Sequence, residues 1–188
     1  MMDNPQPTKR TVLWRRMTGE GLEFCEIEPM RAGWQIAGTA LAQLDDIPTR
    51  VQYQVVCDDD WQTQTVAVTQ WRDGASRTLA LTRDATDHWY VNGNQVPALT
   101  GCKDIDLGIT PATNTLPIRR LALAVGARAA VTAAWVRFPM LAVEPLAQHY
   151  TRLAEHQYRY ESTNFATEIT VDDWGVAVQY AGGWERIG

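Results

Sequence analysis

Long apolar runs are absent from this 188-residue sequence. The most apolar stretch, LALAVGARAAVTAAWV, is broken by Gly126 and Arg128. It falls short of the roughly 18 uncharged residues that a membrane-spanning helix needs, so no integral membrane association is expected. Cysteine and histidine are scarce. Cys25, Cys57 and Cys102 show no CxxC or other close metal-ligand spacing, and an odd number cannot pair completely into disulfides. That usage points to a reducing compartment. His88, His149 and His156 form no HExxH pattern. Also missing are a GxSxG elbow, a phosphate-binding glycine loop and a dinucleotide fingerprint. No metal and no cofactor are expected, and the usual grounds for naming an enzyme are gone.

Basic charge is in deficit as well. Seventeen Lys and Arg stand against 22 Asp and Glu, giving a formal charge of -5 and a pI near 5.2. Such a balance favours solubility and offers no general attraction to nucleic acid or an anionic membrane. The opening MMDNPQPTKR is polar and carries two prolines. It reads as a disordered lead over residues 1–10, with no apolar signal-peptide region after it. Residues 11–188 are expected to form a single β-rich domain in the cytoplasm, large enough to bury a core without a staple.

What the sequence does hold is tryptophan, eight residues against three Phe. An indole brings a broad apolar surface and one N–H that wants a partner. It suits the wall of an amphipathic cavity and equally the core of a sheet. The period of the apolar positions is two, that of strands. Strands are expected around 63–71, 77–83 and 88–92, with Asp73-Gly74 and Asn92-Gly93 as hairpin turns because these residues tolerate positive φ. From Ile118, the alternation of Leu121, Leu123 and Val125 with Arg120, Ala122 and Ala124 predicts a strand. Gly126 turns it, and a return strand runs through Val131, Trp135 and Val136. ATEITVDDWGVAVQY predicts a hairpin about Asp172–Gly175. The segment LTGCKDIDLGITPATNTLPIRR, interrupted by Pro111 and Pro117, reads as an ordered loop feeding the Ile118 strand. A helix from Glu144 towards Glu155 would gather Leu146, Tyr150 and Leu153, although strand-like alternation of Leu146, Gln148 and Tyr150 fits nearly as well. YQVVCDDDWQTQTVAVTQWRDG and YRYESTNFATEITVDDWG share an order of Tyr, β-branched run, Trp and Gly, which suggests internal duplication.

Some side chains carry two readings. Asp104 and Asp106 share a face if their segment is extended, where they could hold a hard cation or share a proton, or else cap backbone groups. Asp58, Asp59 and Asp60 form either an anionic site or a polar strand connection, and they lack the EF-hand spacing. Arg119 and Arg120 would point to opposite sides of a strand. One could reach a phosphate, sugar or carboxylate at a pocket mouth; alternatively one is solvated and the other tied to Asp104, Asp106 or a loop carbonyl.

The most distinctive text is GCKDIDLGITPATNTLPIRRL, then AWVRFPMLAVEPL, YRYES and the terminal YAGGWER. Together these resemble a bacterial family once called a domain of unknown function and described as "putative glycolipid-binding". The resemblance spans nearly everything beyond the polar lead. It implies a mainly β fold of curved antiparallel sheets with at most short helices, forming an open or partly closed barrel-like roll similar to bacterial lipoprotein carriers. It also implies non-catalytic binding of a glycolipid or fatty-acyl amphiphile in an apolar concavity. Gly101, Cys102, Asp104, Asp106, Thr113, Asn114, Thr115, Pro117, Arg119 and Arg120 fall within that text. On the ligand-binding reading, Trp71, Trp135 and Trp174 serve as rigid walls and Arg120 orients a polar group. Two alternatives stay open: a structural or protein-interaction module with a filled core, and an enzyme whose cleft joins Asp104, Asp106, a His or a Cys.

Overall fold

The computed structural model describes residues 8–188, so residues 1–7 of the expected lead lie outside it. Lys9 already pairs with Glu26 at 2.7 Å, and Arg10 opens the first strand. Fifteen strands among the described residues share one sheet, fourteen ladders in all, and only one of them is parallel. One meander comprises β1 (Arg10–Arg16), β2 (Gly21–Pro29), β3 (Trp34–Leu44), β4 (Ile47–Cys57), β5 (Thr63–Arg72) and β6 (Ala75–Arg83). The short β7 (Trp89–Val91) and β8 (Asn94–Gln95) extend it to one edge. A parallel strand, β9 (Asp104–Leu107), makes the other edge beside β10 (Arg128–Arg137). From β10 a second meander continues through β11 (Ala142–Ala154), β12 (Gln157–Ser162), β13 (Phe165–Val171), β14 (Ala177–Tyr180) and β15 (Trp184–Arg186). Its last strand pairs with β1, so the first and last described strands meet in mid-sheet.

The mainly β expectation holds, but the barrel does not. No ladder joins edge strand β8 to edge strand β9, and the sheet stays open. On its unpaired side β9 meets the start of β5, where Thr63 N–H donates to Lys103 O at 2.9 Å and Thr63 Oγ1 accepts from Ile105 N–H at 3.1 Å.

Alternation sets which face is buried. On β4, Thr49, Val51, Tyr53, Val55 and Cys57 point inwards while Pro48, Arg50, Gln52 and Gln54 face out. The inner face is covered by residues 96–121, which supply the buried Leu99, Leu107, Ala112 and Leu116. Both hairpin turns appear as expected, with φ of 50° and 70° at Asp73-Gly74 and 49° and 81° at Asn92-Gly93.

Three expectations are corrected. Ile118 starts no strand: Thr115–Leu121 is a helix, α1, preceded by a 3-10 turn at Ala112–Asn114. Pro117 sits in the first helical turn, where its missing N–H goes unused. Leu116 and Ile118 are buried, whereas Val125 is 60% exposed, so the apparent alternation past Leu121 was accidental. The supposed loop thus contains β9 and α1. Residues 144–154 are strand rather than helix, because β11 pairs with β10 over ten positions. Pro145 is tolerated there since pairing with β12 begins only at Gln148. In the suggested repeat, Trp71 lies within β5 and Trp174 within the β13–β14 turn, so the matched positions occupy different elements.

Candidate functional site

At the end of the sheet that carries the β12–β13 and β14–β15 turns, the inner face holds a pocket of about 680 Å³. That volume lies within the range of about 300–1,000 Å³ usual for small-molecule sites. Its floor comes from β9 and the segment after it: Asp106, Gly108, Thr110 and Asn114. Trp135 and Leu146 form one wall, and Tyr160, Phe165, Tyr180 and Trp184 the other. The strand period explains the assembly. Trp135 is in register with Asp106 on one side and Glu144 on the other, which puts all three on the same face. Register likewise aligns Tyr150 with Tyr160, Ser162 with Phe165, and Tyr180 with Trp184.

The aromatic wall is continuous. Tyr160 lies 5.3 Å from Tyr150, 6.1 Å from Phe165 and 6.3 Å from Tyr180, measured between ring centroids. Phe165 and Tyr180 are nearly parallel. Two glycines leave room for it. A Cβ on Gly108 would stand 2.9 Å from Trp135 Nε1, and one on Gly183 would stand 2.8 Å from Tyr180 Cδ1. Tyr150 donates its hydroxyl to Asn114 Oδ1 at 2.8 Å, fixing that amide beneath the pocket.

The two β9 carboxylates diverge in environment. Asp104, 1% exposed, takes a two-pronged bond from Arg120, at 3.0 Å from Nε and 2.5 Å from Nη2. Asp106 takes the Gln148 amide on Oδ2 at 2.6 Å and has no cation beside it in the hydrogen-bond network. Burial pushes its carboxyl up to about 6, only partly opposed by hydrogen bonds from Gln148 and Tyr160. Behind the floor, Glu23 is fully buried and accepts from Tyr53 at 2.5 Å and Thr110 at 2.6 Å on Oε1. Its Oε2 has no partner, and burial pushes its pKa to about 7.

The four side chains singled out from the sequence do not share a site. Trp135 lines the inner pocket. Trp71 lies under Arg50, with the guanidinium 3.8 Å from the ring, in an outer-face groove of about 890 Å³ with Leu22 and Leu41. Trp174 packs edge-on against Trp34 at 4.8 Å, between Arg10 and Arg119. Arg120 is bound to Asp104. Among the acidic residues, Asp58 accepts from the N–H groups of Asp60 and Gln62, as a strand connection requires. The convergence that an enzyme reading called for is not found among the described residues. Cys25, Cys57 and Cys102 are all buried, which raises their thiol pKa values, and neither they nor the histidines line the pocket. Sequence reasoning missed Tyr160, Phe165, Tyr180, Asn114 and Gln148. Asn114, Tyr160 and Tyr180 lie in the distinctive segments, each of which contributes to this one pocket, whereas Phe165 and Gln148 fall outside them.

The family model described as "Putative glycolipid-binding" matches residues 11–186. The chain belongs to that family. Every pocket residue named above falls within the matched span. The chain is also similar to a DUF1089 family protein from Pseudomonas aeruginosa, with 31% identity and a TM-score of 0.81, covering 93% of this chain and 95% of that one. No curated protein matches. Among the described residues, no helix is long and apolar enough to cross a membrane.

Proposed function

We propose that the inner pocket binds a glycolipid or related amphiphile without covalent chemistry, the polar end resting on Asp106 and Asn114 and the apolar part lying along the aromatic wall. The observation that carries this reading is convergence. Segments around residues 106–114, 135–146, 160–165 and 180–184, far apart in sequence, meet in one concavity of ligand size. Rigid rings give apolar contact at low ordering cost, and each buried CH₂ adds about 0.8 kcal/mol. The family description supports the ligand class. Trp135 is the wall residue we carry forward. Trp71 remains a candidate for the outer groove, while Trp174 and Arg120 make contacts within the protein. Three free, buried thiols accord with a reducing, cytoplasmic setting.

Native mass spectrometry of the purified protein, followed by organic extraction, tests the reading together with titration of an alkyl glycoside panel. Saturable binding is expected, weakened at least about tenfold by Trp135→Ala or Tyr160→Ala and unaffected by Trp71→Ala. No bound amphiphile and no saturable binding would reject it. One observation favours a second reading. Leu22, Phe24 and Leu41 stand 44%, 48% and 51% exposed on the outer face of β2 and β3, an apolar patch of the sort that marks a protein-interaction surface. That reading predicts that Leu41→Asp abolishes capture of a partner and leaves glycoside binding intact.

A further inference from the structure

Asp106 differs from its neighbour on β9 in one respect that bears on ligand choice. Asp104 is paired with the Arg120 fork, whereas Asp106 is hydrogen-bonded by the uncharged Gln148 amide and Tyr160 hydroxyl. Arg16 and Glu144 also line the pocket. Arg16 donates to Gln43 O on β3 at 3.3 Å, and Glu144 pairs with Arg137 at 3.3 Å. Burial raises the phenol pKa values of Tyr160 and Tyr180, so both remain neutral donors. Asp106 therefore faces the pocket with no cationic hydrogen-bond partner, among uncharged hydrogen-bonding groups, with Arg16 also among the lining residues.

On the reading that this pocket holds the polar end of an amphiphile, we infer that it selects its ligand by head-group charge: it accepts an uncharged sugar and rejects sulfate, phosphate or carboxylate head groups. An ionised carboxylate can only accept hydrogen bonds, and sugar hydroxyls supply donors that an anionic head group lacks. Asn114 and the tyrosine hydroxyls can serve the remaining hydroxyls. An anion in the same place meets a like charge where water is partly excluded and no guanidinium is bonded to Asp106. The faces of Trp135 and Phe165 suit the apolar face of a sugar ring. Arginine forks are matched in geometry to planar anionic groups. Here the Arg120 fork is taken up by Asp104.

The test compares two probes with the same eight-carbon chain, octyl glucoside and octyl sulfate, by isothermal titration at pH 8 below their micelle concentrations. The glucoside is expected to bind at least about 30-fold more tightly, which corresponds to about 2 kcal/mol. Asp106→Asn is expected to shrink that gap to within about threefold by admitting the sulfate. Equal affinities, or preference for the sulfate, would overturn the selection while leaving the amphiphile reading in place. A gap unchanged in Asp106→Asn would remove Asp106 from the role. Failure of both probes to bind would reject the pocket reading and the selection with it. The wild-type comparison needs no variant, so a folding defect in Asp106→Asn leaves the outcome decided.

Discussion

Glu23 and Asp106 are acids kept away from full solvation without a cation to balance them. In the folded chain Glu23 holds its proton up to about pH 7, whereas its ordinary value is 4.5. The folded state therefore binds the extra proton between those values. The stability that this protonation confers is fully present below about 4.5 and is lost as pH rises through 7. Glu23→Gln keeps the acceptor for Tyr53 and Thr110 and removes the charge. It is expected to raise stability at pH 8 by about 1–3 kcal/mol and to change little at pH 4.5, as read by urea denaturation at the two pH values. A loss of stability at pH 8 would mean that the ionised carboxylate is compensated by groups other than these two hydroxyls. Asp106 has the same sign, its value raised from 3.8 to about 6 by burial. It differs in facing a pocket, where a ligand can supply the missing donors.

The elements that position these residues are β9 and α1, joined by the Asp104–Arg120 fork. Breaking a buried pair from one side leaves a charge uncompensated. Asp104→Ala is expected to cost about 3–5 kcal/mol in chemical denaturation, against less than about 1 kcal/mol for Glu185→Ala in the exposed pair with Arg15. Gly108→Ala acts on the β9–β10 junction. The added methyl would meet Trp135 Nε1 at 2.9 Å and Val136 O at 3.2 Å. The indole is expected to shift, with a loss of about 1–3 kcal/mol in stability and at least about tenfold in glycoside affinity. Strands and hairpins were legible wherever side chains alternated between solvent and core, and Asp73-Gly74 and Asn92-Gly93 announced their own turns. α1 was not legible. It has seven residues, fewer than two full turns of hydrophobic period, and it sits beside Leu121 and Leu123, whose spacing imitates a strand. Residues 144–155 misled for the opposite reason: Leu146 and Tyr150 satisfy both periods, and only the ladder with β10 decides between them.

Across the whole molecule Glu23 and Asp106, with Asp104 also raised by burial, outweigh the usual acid lability over part of the pH range. Stability is expected to increase as pH falls from about 8 to about 5, then to decline at lower pH as Asp84 and Asp87 are protonated, since hydrogen bonds hold both below the ordinary carboxylate range. A thermal-melt series across pH 3–9 checks this, and a maximum at pH 8 would contradict it. The pocket itself was only half legible. Trp135 and the Asp104–Asp106 pair stood out in the sequence, but the aromatic wall depends on the register of β11 to β15, which no local pattern encodes. Where a ligand sits is the claim on which the rest depends. It is tested most directly by photo-crosslinking with an alkyl glucoside carrying a diazirine at the first chain carbon, followed by peptide mapping. Adducts are predicted on the segments around 106–114, 135–146, 160–165 and 180–184. Adducts confined to the outer groove at Leu22, Leu41 and Trp71 would contradict the account.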